Sequence, residues 1–213
     1  KISHEFRTPL TMILSPLKDM YHDTFEGNSK NQYQLMIRNA ERLLRLINQL
    51  LDLSKLDSGK MTLVTTKFNL IDFLKPIFLS FEPFAQKKGL TYVLDCSSED
   101  IFVLADADKI EKIITNLLSN AFKFTEENGT INITIDQDKE QENAIIEIED
   151  NGIGIDLKRN GDKIFGMYKT FTVNPDSRGI GLFITRNQIE AMGGHITVES
   201  EPNKGTTFKI YMK

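Results

Sequence analysis

Residues 106–124 read DADKIEKIITNLLSNAFKF, and the placement of their apolar residues decides the fold. Ile110, Ile113, Ile114, Leu117, Leu118 and Ala121 recur every three or four positions, which is the spacing of a helix with one buried stripe. Lys112, Asn116, Asn120 and Lys123 follow one another at steps of four, four and three, so they share a different face of the same helix. Amide oxygens and an ammonium gathered on one face are suited to a hard cation and to phosphate oxygens.

The segments around this helix alternate between strand and helix patterns. Upstream, residues 61–69 read as a strand, Asn69 as the cap of a helix over Leu70 to Lys88 and Gly89 as its end, with strands at Leu90 to Asp95 and Ile101 to Leu104. Downstream, a turn at Glu127 to Gly129 leads into the alternation Ile131, Ile133, Ile135, and Ala144, Ile146, Ile148 form its hairpin partner. Residues 156–178 are glycine-dotted and weakly periodic. A helix from Ile180 to Met192 and strands at His195 to Glu199 and Thr206 to Tyr211 close the chain. This order predicts an α+β arrangement, a mixed sheet covered on one side by helices.

Glycine turns follow the helix in a set order. Asp150-Asn151-Gly152-Ile153-Gly154 comes directly after a strand; its glycines let backbone approach a planar ligand, and Asp150 can accept from an exocyclic amine. Arg178-Gly179-Ile180-Gly181-Leu182 enters the next helix, whose first N–H groups and dipole favour phosphate. Lys204-Gly205-Thr206-Thr207-Phe208 supplies the last turn. The spacing matches neither the dinucleotide fingerprint nor the Gly-Lys-Ser/Thr phosphate loop.

The first 60 residues are of another kind. From Ile2 the apolar positions Phe6, Leu10, Ile13, Leu14 and Leu17 give a helical stripe that runs through Pro9 and Pro16, with His4 and Thr8 on another face. After a turn at residues 24–30, a second stripe runs from Tyr33 to Leu56. Such a hairpin is too small to bury a core alone, so a second copy pairing with it as a dimeric four-helix bundle is expected, the downstream domain being the other possible cover.

Composition narrows the classes. The chain has 213 residues, 40% apolar and 26% charged, which is ordinary for folded domains. Residues 1–60 carry 9 Lys plus Arg against 7 Asp plus Glu, and the rest 17 against 23, so neither part has the basic patch of a nucleic-acid binder. Cys96 is the only cysteine, which leaves no internal disulfide and no multi-cysteine zinc site. No apolar run reaches 18 residues, and the opening on Lys1 with a pattern already under way suggests a piece of something longer. His22 and His195 lack an acidic neighbour placed as Glu5 is beside His4, and they read as surface or packing residues.

Together these blocks resemble the catalytic core of a sensor histidine kinase of two-component signalling, over practically the whole chain. His4-Glu5-Phe6-Arg7-Thr8-Pro9-Leu10 resembles the phosphoacceptor box, and Asn116 to Thr125 the asparagine box. Asp150 to Gly154 is similar to the first glycine box, Ile164-Phe165 with Tyr168 and Phe171 to the phenylalanine box, Gly179 to Leu182 to the second glycine box, and Gly205 to Phe208 to the last. The resemblance implies a dimerisation and phosphotransfer hairpin over residues 1–60 and an ATP-binding α/β sandwich over 61–213. It implies ATP and Mg2+ as cofactors, with Asn120 the principal metal ligand and Asn116 close to metal and phosphates. Lys123 would contact phosphate and Asp150 would read the adenine amine. Phe124, Gly152, Gly154, Tyr168, Phe171, Gly179, Gly181, Leu182 and Thr206 would line the nucleotide, and residues 156–178 would form a mobile lid.

By the same resemblance His4 is the phosphoacceptor, Glu5 orients its imidazole, Arg7 holds phosphate or pairs with an acidic lid residue, and Thr8 stands where relatives orient a water for a reverse phosphatase reaction. A response-regulator receiver domain is the implied partner and a homodimer the implied assembly. An upstream sensor region and a membrane-anchored bacterial protein with this domain in the cytoplasm are also implied. Three positions depart from the family pattern: Lys112 where Gln or Glu is frequent, Phe124 where Tyr is frequent, and Ser177 where a glycine is frequent. Two rivals follow: a nucleotide-binding pseudokinase, to which Lys112 gives weight, and a water-using ATPase, which has no need of the His4 hairpin.

Overall fold

The structure, a computed structural model, describes residues 9–17, 33–41, 43–44, 47, 62–98, 100–138, 143–166 and 179–213. The chain divides into two compact units, Lys1–Met61 and Thr62–Lys213. Among the described residues no helix is long and apolar enough to cross a membrane.

In the first unit, residues 9–17 (α1) and 33–41 (α2) are helical. Pro9 is the first described residue of the helix and Pro16 lies inside it, where a proline contributes no N–H and leaves the carbonyl of Met12 without its helical donor. Among the described residues the stripe is largely exposed. Leu10, Leu14 and Leu17 are 45%, 43% and 46% exposed, and Ile37 and Leu44 are 57% and 59% exposed. Met36 and Asn39 are buried, and Asn39 Nδ2 donates to the Leu35 carbonyl at 2.7 Å. Among the described residues, that much exposed leucine and isoleucine forms an apolar face without a cover.

The second unit is built on a five-stranded mixed sheet in the order β2-β4-β5-β7-β6, with β1 and β3 forming a separate antiparallel pair. The strands are β1 Thr65–Asn69, β2 Thr91–Cys96, β3 Phe102–Asp106, β4 Thr130–Gln137, β5 Ala144–Asp150, β6 His195–Glu201 and β7 Gly205–Met212. β2 runs parallel to β4, and the other neighbours are antiparallel. Alternation puts Ile131, Ile133, Ile135, Ile146, Ile148, Phe208 and Ile210 on one buried face. Three helices cover it: α3 Leu70–Lys88, α4 Ala107–Phe124 and α6 Gly181–Ala191. The α+β reading of the sequence therefore holds.

Local chemistry fixes the helix ends. Asn69 Oδ1 accepts the Ile71 N–H at 2.9 Å, and Gly89 closes α3 in the left-handed conformation at φ 65°. Asp106 works on both sides of its carboxylate, with Oδ1 accepting the Lys109 N–H at 3.2 Å and Oδ2 the Val64 N–H at 2.9 Å. At the other end of α4 the Lys88 ammonium donates to the carbonyls of Phe122 and Thr125 at 2.8 and 2.9 Å. The functional face of α4 is thus held at both ends.

One element was not predicted. Within the weakly periodic segment, Leu157–Asn160 form a short helix (α5) capped by Asp156, followed by a 3-10 turn over Gly161–Lys163. Four residues make barely one turn, too few to show a period, so only the Asp156 cap could have marked it.

Candidate functional site

Burial of Ile110, Ile113, Ile114, Leu117, Leu118 and Ala121 turns Lys112, Asn116, Asn120 and Lys123 away from the core, as the spacing predicts. Asn116 is half-buried, and its Nδ2 donates to Thr185 Oγ1 of α6 at 2.9 Å. Its Oδ1 lies against Gly181, where an added Cβ would come within 2.6 Å of it. Asn120, one turn further along, is half-exposed and has no side-chain hydrogen bond to the described residues. Lys123 sits over the Phe124 ring, 5.1 Å from its centroid. Lys112 pairs with Asp108 at 2.9 Å on the surface, an exposed i, i+4 pair of small energetic weight.

The end of α6 that meets Asn116 is its N-terminus. Gly179 adopts φ 64° and Ile180 stands at the N-cap with no side-chain hydrogen bond, so among the described residues no side chain caps the first-turn N–H groups of Gly181 and Leu182. Free donors at the positive end of a helix dipole are an anion site when a second element supplies the walls. Asn116 of α4 is such a wall.

The turn after β5 forms a second, separate constellation. Asp150 is 8% exposed and its Oδ1 accepts the Gly152 N–H at 2.9 Å. Burial is the larger influence on this carboxyl and outweighs the Gly152 and Thr206 N–H groups, so its pKa is pushed up to about 6. Gly152 packs against the Phe124 carbonyl, and that carbonyl accepts the Ile153 N–H at 3.2 Å, which fastens the turn to the end of α4. Gly154, at φ 64°, lies against the Glu201 carbonyl, and Gly205, at φ 113°, against that of Asp150. Neither approach leaves room for a side chain.

Sequence reasoning missed the residue that ties these turns together. Ser200 Oγ donates to the Gly205 carbonyl at 2.6 Å, accepts the Ile155 N–H at 2.8 Å and lies 3.0 Å from the buried Thr206 hydroxyl. It also missed Thr185, for which a signal existed: it stands four residues after Gly181, on the same helix face. Of the phenylalanine box, Ile164 is buried and Phe165 is half-buried, with the Arg186 guanidinium 5.6 Å from its ring centroid.

His4, Glu5, Arg7, Thr8, Tyr168, Phe171 and Ser177 lie outside the described residues. Those that are described fall into two groups in space: Asn116 with Gly181 and the start of α6, and Phe124 with Asp150, Gly152, Gly154 and Thr206. The helix α4 spans both, with Asn120 and Lys123 between them along its length. One end can take an anion and the other an amine, at a separation set by about two helical turns.

Among the described residues no cluster of three His, Cys, Asp or Glu side chains could hold a metal ion. Any cation here would therefore draw on neutral amide oxygens and on its ligand's own oxygens. That donor set suits magnesium, which keeps water and phosphate oxygens in its shell, and excludes a structural zinc site of histidine and thiolate among these residues.

The sandwich thus places a buried aspartate at one end of an asparagine-bearing helix and the start of a second helix at the other. The model for "Histidine kinase-, DNA gyrase B-, and HSP90-like ATPase" matches residues 105–213, and that for the "His Kinase A (phospho-acceptor) domain" matches residues 1–59. The chain belongs to this ATPase family, in the histidine kinase branch that joins it to a phosphoacceptor hairpin. Membership implies binding of ATP with magnesium.

Histidine kinase P4 of Formosa agariphila is 36% identical over 218 residues, covering 98% of this chain and 16% of that protein. The histidine kinase AdeS of Acinetobacter baumannii shares the fold at TM-score 0.78 and 23% identity, over 99% of this chain and 97% of that one. The histidine kinase ThkA, solved in complex with the response regulator TrrA, matches at TM-score 0.73 and 25% identity, over 99% of this chain and 59% of that one. The chain thus spans about a sixth of P4.

Proposed function

We propose that the chain is an ATP-dependent protein-histidine kinase core that phosphorylates itself on His4 and hands the phosphoryl group to an aspartate of a receiver domain. The observation that carries the reading is the meeting of Asn116 with Gly181, which brings the asparagine face of α4 to a helix start that no side chain caps among the described residues.

In this reading Asp150 accepts the adenine amine, and the first-turn N–H groups of α6 take the phosphates, with Lys123 adding positive charge. Asn120 and Asn116 would hold magnesium through their amide oxygens, and when bound it would supply charge compensation to the phosphates. His4 lies at the start of the hairpin, where an imidazole with a reference pKa near 6.5 is mostly neutral at pH 7. The unprotonated ring nitrogen attacks the γ-phosphorus. A P–N bond forms, the bond to the β-phosphate bridging oxygen breaks, and ADP departs. Glu5 accepts the other ring N–H and stabilises the positive charge on the imidazole. Arg7 holds the transferred group.

The exposed leucine face of α1 and α2 supports a homodimer in which a second hairpin covers it. That ThkA was solved with a response regulator supports a receiver domain as the acceptor. Thr8 then orients water for the reverse reaction on the receiver. By the same likeness the chain is the cytoplasmic part of a membrane-anchored sensor.

The test is labelling with γ-labelled ATP and magnesium. Acid-labile, base-stable label on His4, lost in His4→Ala and in Asn120→Asp, is the expected result. Nucleotide binding without label would support the pseudokinase reading. Phosphate release undiminished in His4→Ala would support a water-using ATPase.

A further inference from the structure

The buried stripe of α6 consists of Ile184, Thr185, Gln188 and Ile189, so two of its four members are polar. Thr185 is 2% exposed, and its hydroxyl oxygen is the acceptor for Asn116 Nδ2 at 2.9 Å. A carboxamide is planar with its oxygen and nitrogen on opposite sides, so whatever holds the nitrogen also aims the oxygen. Here the oxygen is aimed at the first residue of α6: a Cβ on Gly181 would lie 2.6 Å from Oδ1 and 3.1 Å from Nδ2. Gly181 is not in a left-handed conformation, so the absence of a side chain there serves this contact rather than the backbone.

We propose that Thr185 is a positioning residue of the phosphate end of the nucleotide site, selecting the one amide orientation in which Asn116 presents oxygen at the start of α6. Oxygen is the only atom of that side chain a cation can bind. With the amide turned over, two N–H donors would face the place where the metal is needed. A valine at 185 would fill the same volume and offer no acceptor, leaving both orientations open and a half-buried Nδ2 without its partner.

The inference rests on the reading of Asn116 as a metal contact, so the experiment separates the two. Magnesium is titrated against a fluorescent ATP analogue with the whole chain, in wild type, Thr185→Val, Thr185→Ser and Asn116→Ala, with melting temperature followed in parallel. The half-saturating magnesium concentration is expected to rise by about tenfold in Thr185→Val, the order of effect of losing a residue that orients a metal ligand. Metal-free nucleotide binding should stay as in wild type, and Thr185→Ser, which keeps the hydroxyl, should return the magnesium dependence to near wild type. An unchanged magnesium dependence in Thr185→Val, or a Ser variant as impaired as the Val variant, would overturn the proposal and leave Thr185 a packing residue. If Asn116→Ala also leaves the magnesium dependence unmoved, the metal reading of Asn116 falls and takes this inference with it. If only Asn116→Ala moves it, the reading stands and the role of Thr185 alone is refuted.

Discussion

The carboxylate of Asp150 accepts the backbone N–H of Gly152 at 2.9 Å while being almost wholly removed from water. The hydrogen bond favours the charged form and burial disfavours it, with burial the stronger, so the pKa rises from 3.8 to about 6. Between these two pH values the folded chain keeps a proton that the unfolded chain has released. The contribution of this group to stability is therefore fully present below the lower value and is lost as pH climbs through the window, by at most about 3 kcal/mol. Nucleotide affinity should move the other way. The ionised carboxylate is the better acceptor for an amine, so affinity should drop by roughly tenfold between pH 7 and pH 5. Urea unfolding and analogue titration across this range, in wild type and Asp150→Asn, check both trends. A variant that keeps the wild-type slopes would show that another group titrates.

Two glycines seven residues apart should respond to alanine with opposite signs. Gly154 is left-handed at φ 64° and its missing side chain faces the Glu201 carbonyl, whereas Gly161 is helical at φ −51° and ψ −49° with open space where a Cβ would go. Gly154→Ala combines backbone strain with a backbone collision and is expected to cost more than about 2 kcal/mol. Gly161→Ala only restricts the unfolded chain and should gain about 0.5 kcal/mol. Urea midpoints at constant slope measure both.

The contrast between these glycines also marks what the sequence made legible. The α4 stripe, the isoleucine alternation of β4 and β5, and the Asn69 cap are local patterns that depend on residues within a few positions of each other, and each folds as its spacing predicts. The contacts that shape the site join distant segments: Gly154 with Glu201, Asp150 with Gly205, and Asn116 with Thr185. No period encodes them. Ser200 looked like any polar residue in an edge strand until three partners converged on its hydroxyl. The raised pKa of Asp150 was illegible for the same reason, since its chief cause is packing assembled around it from other segments.

Asp106 joins two segments through one carboxylate, capping α4 and holding the Val64 N–H just ahead of β1. Asp106→Ala should lose both bonds and cost about 2 kcal/mol, whereas Asn69→Ala, which loses the cap of α3 and an exposed bond from its Nδ2 to Asp100, should cost about 1 kcal/mol. Thermal melting of the two variants gives the order. A smaller loss for Asp106→Ala would mean that the Val64 bond contributes nothing.

Gln188 is 1% exposed and its Nε2 has no hydrogen-bond partner among the described residues. A buried amide hydrogen without an acceptor costs about 1–3 kcal/mol relative to a group that needs none. Methionine has nearly the same length, suits a helix and adapts to irregular surroundings. Gln188→Met should therefore raise stability by about 1 kcal/mol, seen as a higher urea midpoint. Because Gln188 takes no part in the Asn116–Thr185 hydrogen bond, the same variant should leave the magnesium dependence of nucleotide binding where it was. A loss of stability instead would show that the amide is satisfied in solution, by a water for example. The polar pair on the buried stripe of α6 would then be a connected network rather than one used residue beside one orphan.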